Sequence, residues 1–502
     1  MGFSRSKNLA LNIYFGYLAQ IGILILSFIG RKIFLKYLSV DYLGINGLYS
    51  NILIVLSLAE LGFDTAVVYS LYKPVAENNI PLINSLLRYF RKIYSSLALI
   101  IFMLGIAIIP FLRFIIQSNL NQRDLILYYI LFLINTVVSY LVAHKVALLS
   151  AYQEQRIQKL VLLTSNFILQ LIHIIVLIIW GNYYIYIIAT VISTVINNII
   201  LNFICNRRHA YLKDRTQQVA FDKKPINKKI FSSFVYKVGA VAINNTDNIL
   251  ISMLVSTAAV GLYSNYYTVI SAIQGFIVII STSLISGVGN LGANGDKKRQ
   301  YEIFNIALLF YHLIAALGLT GFGLLFNDVI TLWLGDMYLF DIKTVFIIAL
   351  NFYLTNAVAP IWMYREANGF FEQVRYLMLV RAGINIVLSI ILGILFGTFG
   401  ILAATAISLL VTSFWYEPAI LYKNVFGISQ KYYWLKQTKC FLTTFVGFGL
   451  SMGIVSFIPS GFFTLIIKTI IIVSVISASF LISTFRSNEI RMIFDILKLK
   501  RH

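Results

Sequence analysis

Residues 376–421, YLMLVRAGINIVLSIILGILFGTFGILAATAISLLVTSFWYEPAIL, contain only two charged side chains, Arg381 and Glu417. A helix of about 20 apolar residues is long enough to cross the roughly 30 Å hydrocarbon core of a bilayer. The stretch is therefore long enough for two spans. Gly397, near its middle, predicts a tight turn between them. We predict a transmembrane helical hairpin here.

The same apolar pattern recurs along the whole chain. Of the 502 residues, 59% are hydrophobic and 12% are charged, and this charged fraction is about half that of a soluble domain. We predict an all-α integral membrane protein with about 14 transmembrane helices and no sizeable domain outside the bilayer. The predicted spans are residues 11–30, 43–71, 93–116, 125–149, 160–180, 183–204, 231–255, 262–288, 303–326, 342–364, 376–396, 399–421, 439–457 and 462–483.

Lysine and arginine are concentrated in alternate connections, the pattern that the positive-inside rule describes. The loop 205–230 carries eight of them, whereas the predicted outer turns near residues 181, 258, 397 and 460 carry none. The net charge of +21 therefore indicates contact with the acidic inner leaflet rather than with a nucleic acid. Both termini are predicted to be cytoplasmic. Arg31, which follows the first predicted span, is predicted to lie on the outer side.

An internal repeat organises the chain. The pentapeptide GLYSN at 47–51 recurs at 261–265, and ATVIS at 189–193 is echoed by ATAIS at 404–408. Because a six-helix unit has an even number of spans, both copies keep the same orientation, which gives two parallel-related lobes. The predicted domains are an N-terminal six-helix lobe (1–205), a basic cytoplasmic linker (206–230), a C-terminal six-helix lobe (231–422), two additional helices (423–483) and an amphipathic cytoplasmic tail (484–502).

The first and seventh predicted spans, which begin the two repeats, each carry a polar stripe along one helical face. The stripes consist of Gln20, Ser27 and Arg31 in the first span, and of Lys237, Asn244 and Asn248, with Asp247 beside them, in the seventh. Two interpretations remain open. The stripes either line an aqueous cavity, or form a hydrogen-bonded seam between helices from which Arg31 reaches the interface.

Other charges within the predicted spans include Lys145, Arg381, Glu417, Lys468 and the pair Glu60 and Asp64. Glu60 and Asp64 lie one helical turn apart and would repel each other if both were ionised. The pair is thus a candidate either for ion coupling or for a structural role at a helix end. The histidines are isolated, and no Walker-type phosphate loop is present in the sequence. We therefore expect no enzymatic activity, no metal site and no cofactor.

Six short motifs stand in a consistent order between residues 31 and about 420. They are YLGINGLY (42–49), LAELG (58–62), TDNIL (246–250), VGLY (260–263), LWLG (332–335) and REANG (365–369). In order and spacing they resemble the Wzx-type polysaccharide flippases of the MOP (multidrug/oligosaccharidyl-lipid/polysaccharide) superfamily. The resemblance implies a V of two six-helix lobes that opens alternately inward and outward.

The resemblance also implies a function. The expected activity is translocation of oligosaccharide units linked to undecaprenyl pyrophosphate from the inner to the outer leaflet of the bacterial cell membrane, for capsule, exopolysaccharide or O-antigen-type synthesis. Membrane lipids and polysaccharide-assembly proteins are the further expected partners. The cations predicted to bind pyrophosphate are Arg31, Lys237, Lys145 and Arg381. The alternatives are a MATE-like small-molecule exporter and a membrane-embedded glycosyltransferase or polymerase.

Overall fold

The computed structural model describes residues 21–57, 63–213, 219–222, 238–239, 241–243, 245–293, 297–368, 370–485, 487 and 489. Every secondary-structure element in these residues is helical, which confirms the all-α prediction. The chain divides into two compact units, residues 1–261 and 262–502. This division does not test the predicted domain boundaries at 205 and 231, which stay predictions.

The first unit is built from short and long helices joined by tight connections. Asn182 shows how the sequence starts one of them, since its side-chain oxygen accepts a hydrogen bond from the Tyr184 backbone N–H (2.7 Å) and caps the helix. The helices are α1 (21–37), α2 (Val40–Leu56), α3 (Phe63–Ala76), α4 (Ile80–Ile108), α5 (Leu112–Ile115), α6 (Gln122–Ser139), α7 (Ala143–Ala151), α8 (Gln155–Trp180), α9 (Tyr183–Arg208) and α10 (Asp247–Leu254).

The second unit is arranged around a central helix. The helices are α11 (Thr257–Ala293), whose first residues belong to the first unit, α12 (Lys297–Trp333), α13 (Ile342–Ala367), α14 (Phe371–Val411), α15 (Ser413–Leu421), α16 (Lys431–Val455) and α17 (Phe462–Thr484). In α13, 72% of the most apolar 18-residue window is buried, compared with 22% in α17. The helix α13 is therefore surrounded by protein, while α17 is peripheral.

Within the described residues, nine helical stretches are long and apolar enough to cross a bilayer. Their outer faces carry large apolar side chains, such as Phe203 and Ile394, which are 62% and 69% exposed. A soluble protein rarely leaves so much apolar surface uncovered. The exposed faces are thus suited to lipid.

The predicted hairpin turns are confirmed at three places. Gly181, between α8 and α9, has φ +56°, and Gly397 has φ +60° and divides α14 into two helices. Glycine adopts this left-handed backbone without the steric cost that a Cβ would bring. Residues 456–461 separate α16 from α17, where the sequence Pro459-Ser460-Gly461 predicts a turn.

Two predicted helix boundaries are wrong. The first helix continues to residue 37, so Arg31 lies within it rather than after its end. The span predicted at 93–116 begins earlier, since α4 starts at Ile80. The hydropathy pattern does not predict this start, because the first turns carry Arg88, Arg91 and Lys92. A helix can continue beyond the hydrocarbon through such charged turns.

Three glycines in the first unit allow α2 and the start of α11 to cross closely. A Cβ on Gly44 would overlap the carbonyl oxygen of Thr257, and one on Gly261 would overlap that of Val40. Gly261 and Gly47 are the first residues of the repeated pentapeptide, and both lie on the helices of this crossing. Small residues let helix backbones approach in this way within a membrane.

Candidate functional site

Several predicted site residues lie outside the part of the chain that the structure describes. They are Gln20, Glu60, Lys237 and Asn244. Asp64 lies on α3. The predicted cavity shared by Arg31 and Lys237, and ion coupling through Glu60 and Asp64, therefore stay predictions.

The other predicted lining residues are held by the helices of the first unit. Ser27 donates a hydrogen bond to the Ile23 carbonyl oxygen of its own helix (2.8 Å). Asp247 and Asn248 lie in the first turn of α10, where a negative or polar side chain is favourable near the helix N-terminus. The Asn248 amide lies close to α2, 4.0 Å from where a Cβ on Gly47 would stand.

Lys145 is the most distinctive cation in the first unit. Its ammonium group, on α7, donates to the side-chain oxygens of Asn202 and Asn206 on α9, at 2.5 and 2.6 Å. Both partners are neutral amides. Among the ion pairs that the structure describes, none involves Lys145. The two amides solvate the ammonium and hold it in place, and no carboxylate of the described residues pairs with it.

A second cation reinforces the charge around Lys145. Arg91 of α4 acts electrostatically on both Lys145 and the buried His144. Arg91 is exposed, so water screens part of its charge. The two cations together give this part of the first unit a positive potential, which favours an anion over a cation.

Arg31 lies in a different environment, among aromatic side chains of the first unit. It interacts electrostatically with Tyr186 of α9. The Tyr186 ring stacks on His173, with centroids 3.7 Å apart, and His173 shares a hydrogen bond of 3.1 Å with Thr190. Arg31 thus lies beside Tyr186 of α9, within helix α1 rather than in a loop after it.

Arg381 lies in the second unit, beside a buried ion pair. Arg365 donates to Glu417 at 2.6 Å, and their side chains are 6% and 1% exposed. Glu366 also lies within 3.7 Å of Arg365. Arg381 acts electrostatically on Glu417. Because two carboxylates accompany two guanidinium groups, this cluster is neutral as a whole, which makes it less suited to an anion than the surroundings of Lys145.

Sequence reasoning did not identify the partners of these charges. Asn202 and Asn206 are four residues apart at the end of a predicted span, so they share one helical face. This spacing is a usable signal for a polar face next to Lys145. No comparable signal pairs Arg365 with Glu417, because they are 52 residues apart.

Comparison with known families supports the membrane-transport fold. The sequence matches the family described as polysaccharide biosynthesis protein over residues 9–285, which is more than half of the chain. A comparison with curated proteins gives no significant match.

Solved structures share the architecture. Lipid II flippase MurJ in an inward closed conformation has a TM-score of 0.69 and 16% identity, over 94% of this chain and 99% of that one. An inward-facing multidrug resistance MATE transporter of the MOP superfamily has a TM-score of 0.55 and 13% identity, over 78% of this chain and 96% of that one. A point mutant of the Vibrio cholerae MATE transporter VcmN has a TM-score of 0.53 and 12% identity, over 85% of this chain and 100% of that one.

At these identities the likeness concerns the fold alone, and all three structures are transporters. Together with the family match, they confirm the resemblance that the sequence motifs indicated. The chain belongs to the polysaccharide biosynthesis protein family and has the fold of the MOP superfamily transporters.

Proposed function

We propose that this chain is a flippase that moves undecaprenyl-pyrophosphate-linked oligosaccharide units from the inner to the outer leaflet by alternating access. The product would be a capsule, exopolysaccharide or O-antigen-type polysaccharide. The protein would lie in the bacterial cell membrane with both termini cytoplasmic. Support comes from the family, whose description names polysaccharide biosynthesis, and from the fold shared with a lipid II flippase.

The observation that carries the proposal is the uncompensated charge of Lys145. A lysine with a purely structural role in a membrane is expected to be neutralised, as Lys468 is by Asp328 at 2.7 Å. Lys145 instead donates to two neutral amides. An ammonium held in this way can form charge-assisted hydrogen bonds to a pyrophosphate that enters the same low-dielectric region.

In this proposal Lys145 and Arg31 are the principal cations of the first unit that meet the pyrophosphate. Lys237 would join them, as the polar stripes predict. Arg381 would have a secondary role because it already interacts with the carboxylate of Glu417. Glu60 and Asp64 stay candidates for coupling the cycle to an ion gradient.

The role of Lys145 can be tested by neutralising it in place. Asn202→Asp puts a carboxylate beside the ammonium, and Lys145→Gln removes the charge. Losing a charge-assisted contact costs about 1.5–3 kcal/mol, so each variant should lower glycan export roughly ten- to hundredfold at unchanged protein abundance. The measurement is surface polysaccharide in cells whose own copy is deleted.

The matched control is Lys468→Gln, which removes a lysine that is already paired and leaves Asp328 with the Ser460 hydroxyl but without its cation. Here abundance and export should fall together. Normal export by both Lys145→Gln and Asn202→Asp at normal abundance would contradict the anion site. Arg31→Gln and Lys237→Gln, compared in the same assay, distinguish a cavity from a seam. A cavity predicts lost export at full abundance, and a seam predicts parallel loss.

A further inference from the structure

The second unit contains a cavity that has no part in the proposed anion site. Its volume is about 280 Å³, near the lower end of the roughly 300–1,000 Å³ typical of small-molecule sites. It lies between α11, α12 and α13. Its polar lining is Gln274, Ser281, Tyr311, Thr355, Asn356 and Glu366. We infer that this cavity binds uncharged sugar rings of the translocated oligosaccharide.

Two acceptors in the cavity lining lack a partner within the described part of the chain. They are the side-chain oxygens of Asn356 and Gln274. Asn356 is only 1% exposed, and its amide nitrogen donates to the Phe352 carbonyl oxygen at 2.9 Å. A buried acceptor left unsatisfied costs about 1–3 kcal/mol, so such groups in a cavity point to a ligand that donates hydrogen bonds.

The polar groups come from two of the helices that line the cavity. Gln274 and Ser281 are seven residues apart on α11, which is two turns of the same face. Asn356 and Glu366 are ten residues apart on α13, about 15 Å along the helix. Trp362 lies between them and also lines the cavity. An elongated site with polar groups at intervals fits a ligand larger than a single ion.

The charge of the lining favours a neutral ligand. The described residues that line the cavity include no lysine or arginine, which disfavours phosphate. Glu366, the acid among them, is 43% exposed and lies 3.7 Å from Arg365, so water and this guanidinium both weaken its attraction for a cation. Sugar hydroxyls satisfy amide and hydroxyl acceptors without bringing charge, and the flat faces of sugar rings pack on aromatic side chains such as Trp362.

This inference rests on the proposed function, and two probes separate them. The purified full-length chain is titrated with undecaprenyl pyrophosphate, and with the lipid-linked oligosaccharides extracted from source cells that lack this chain. The wild type should bind the sugar-bearing lipid more tightly. Asn356→Leu and Gln274→Leu should each weaken binding of that lipid about five- to tenfold and leave binding of undecaprenyl pyrophosphate unchanged.

The matched control is Asn351→Leu, the same substitution on α13 at a residue that donates to the Leu402 carbonyl oxygen instead of lining the cavity. It should leave the affinity for both probes unchanged. Binding of undecaprenyl pyrophosphate also reports on folding, and Gln274→Leu carries the test if Asn356→Leu loses both affinities. If Asn356→Leu and Gln274→Leu both bind the sugar-bearing lipid as the wild type does, the cavity is not the sugar site and the flippase proposal stands. If the wild type binds neither probe, the flippase proposal fails and the inference with it.

Discussion

The buried pair Arg365–Glu417 offers the sharpest stability prediction. Glu417→Gln removes one charge of a pair whose side chains are 6% and 1% exposed and whose atoms lie 2.6 Å apart. Arg365 then keeps Glu366 as its partner, at 3.7 Å and 43% exposed, which compensates it poorly. Breaking one side of a buried pair leaves an uncompensated charge and costs about 3–5 kcal/mol. The variant should unfold at a clearly lower temperature in detergent.

The assay is the fraction of protein that stays monodisperse after heating, measured by size-exclusion chromatography. Glu77→Gln is the control, because Lys73 and Glu77 are 83% and 53% exposed and 3.8 Å apart. Exposed pairs contribute about 0–1 kcal/mol, so little change is expected. The double variant Arg365→Met with Glu417→Met should recover most of the loss, since apolar replacement of a buried pair is often neutral. If Glu417→Gln unfolds at the same temperature as the wild type, the pair does not stabilise the fold.

Two further predictions concern packing and topology. Gly44→Ala should destabilise the first unit by about 1–3 kcal/mol, because the added methyl overlaps a backbone carbonyl oxygen of the crossing helix. The control is Gly275→Ala, whose added methyl meets nothing within 4 Å and which should be neutral or stabilising. Equal melting of the two variants would argue against the close crossing. A cysteine at Met337, which is 79% exposed, should react with an impermeant thiol reagent in intact cells, whereas cysteines at Arg215 and Asp495 should not. Both native cysteines are buried and should give little background, and labelling at Arg215 would reverse the predicted topology.

The sequence was sufficient for the features that depend on local patterns. Apolar runs and the glycines at 181 and 397 predict helices and hairpin turns that the structure contains. The helix ends were harder to place, because charged turns such as those around Arg88 continue a helix beyond the hydrocarbon.

The partners of the buried charges could not be predicted from local sequence patterns. Lys145 and Arg381 look alike in sequence, since each is a lone cation in an apolar run. In the structure, Lys145 donates to two neutral amides, whereas Arg381 lies beside the buried Glu417. That difference is the reason we propose Lys145 rather than Arg381 as a principal cation for the anion. It depends on which helix faces come together, and no local period encodes this.

The unequal burial of the helices has a consequence for how such a protein can diverge. In α9 only 11% of the most apolar 18-residue window is buried, against 72% in α13. Substitutions among apolar residues on α9 change the surface offered to lipid, so they can accumulate as a lineage adapts to a bilayer of different thickness or composition. Substitutions on α13 must be matched by changes in its neighbours. Homologues should therefore vary more at the exposed apolar positions of α9 than at the buried positions of α13.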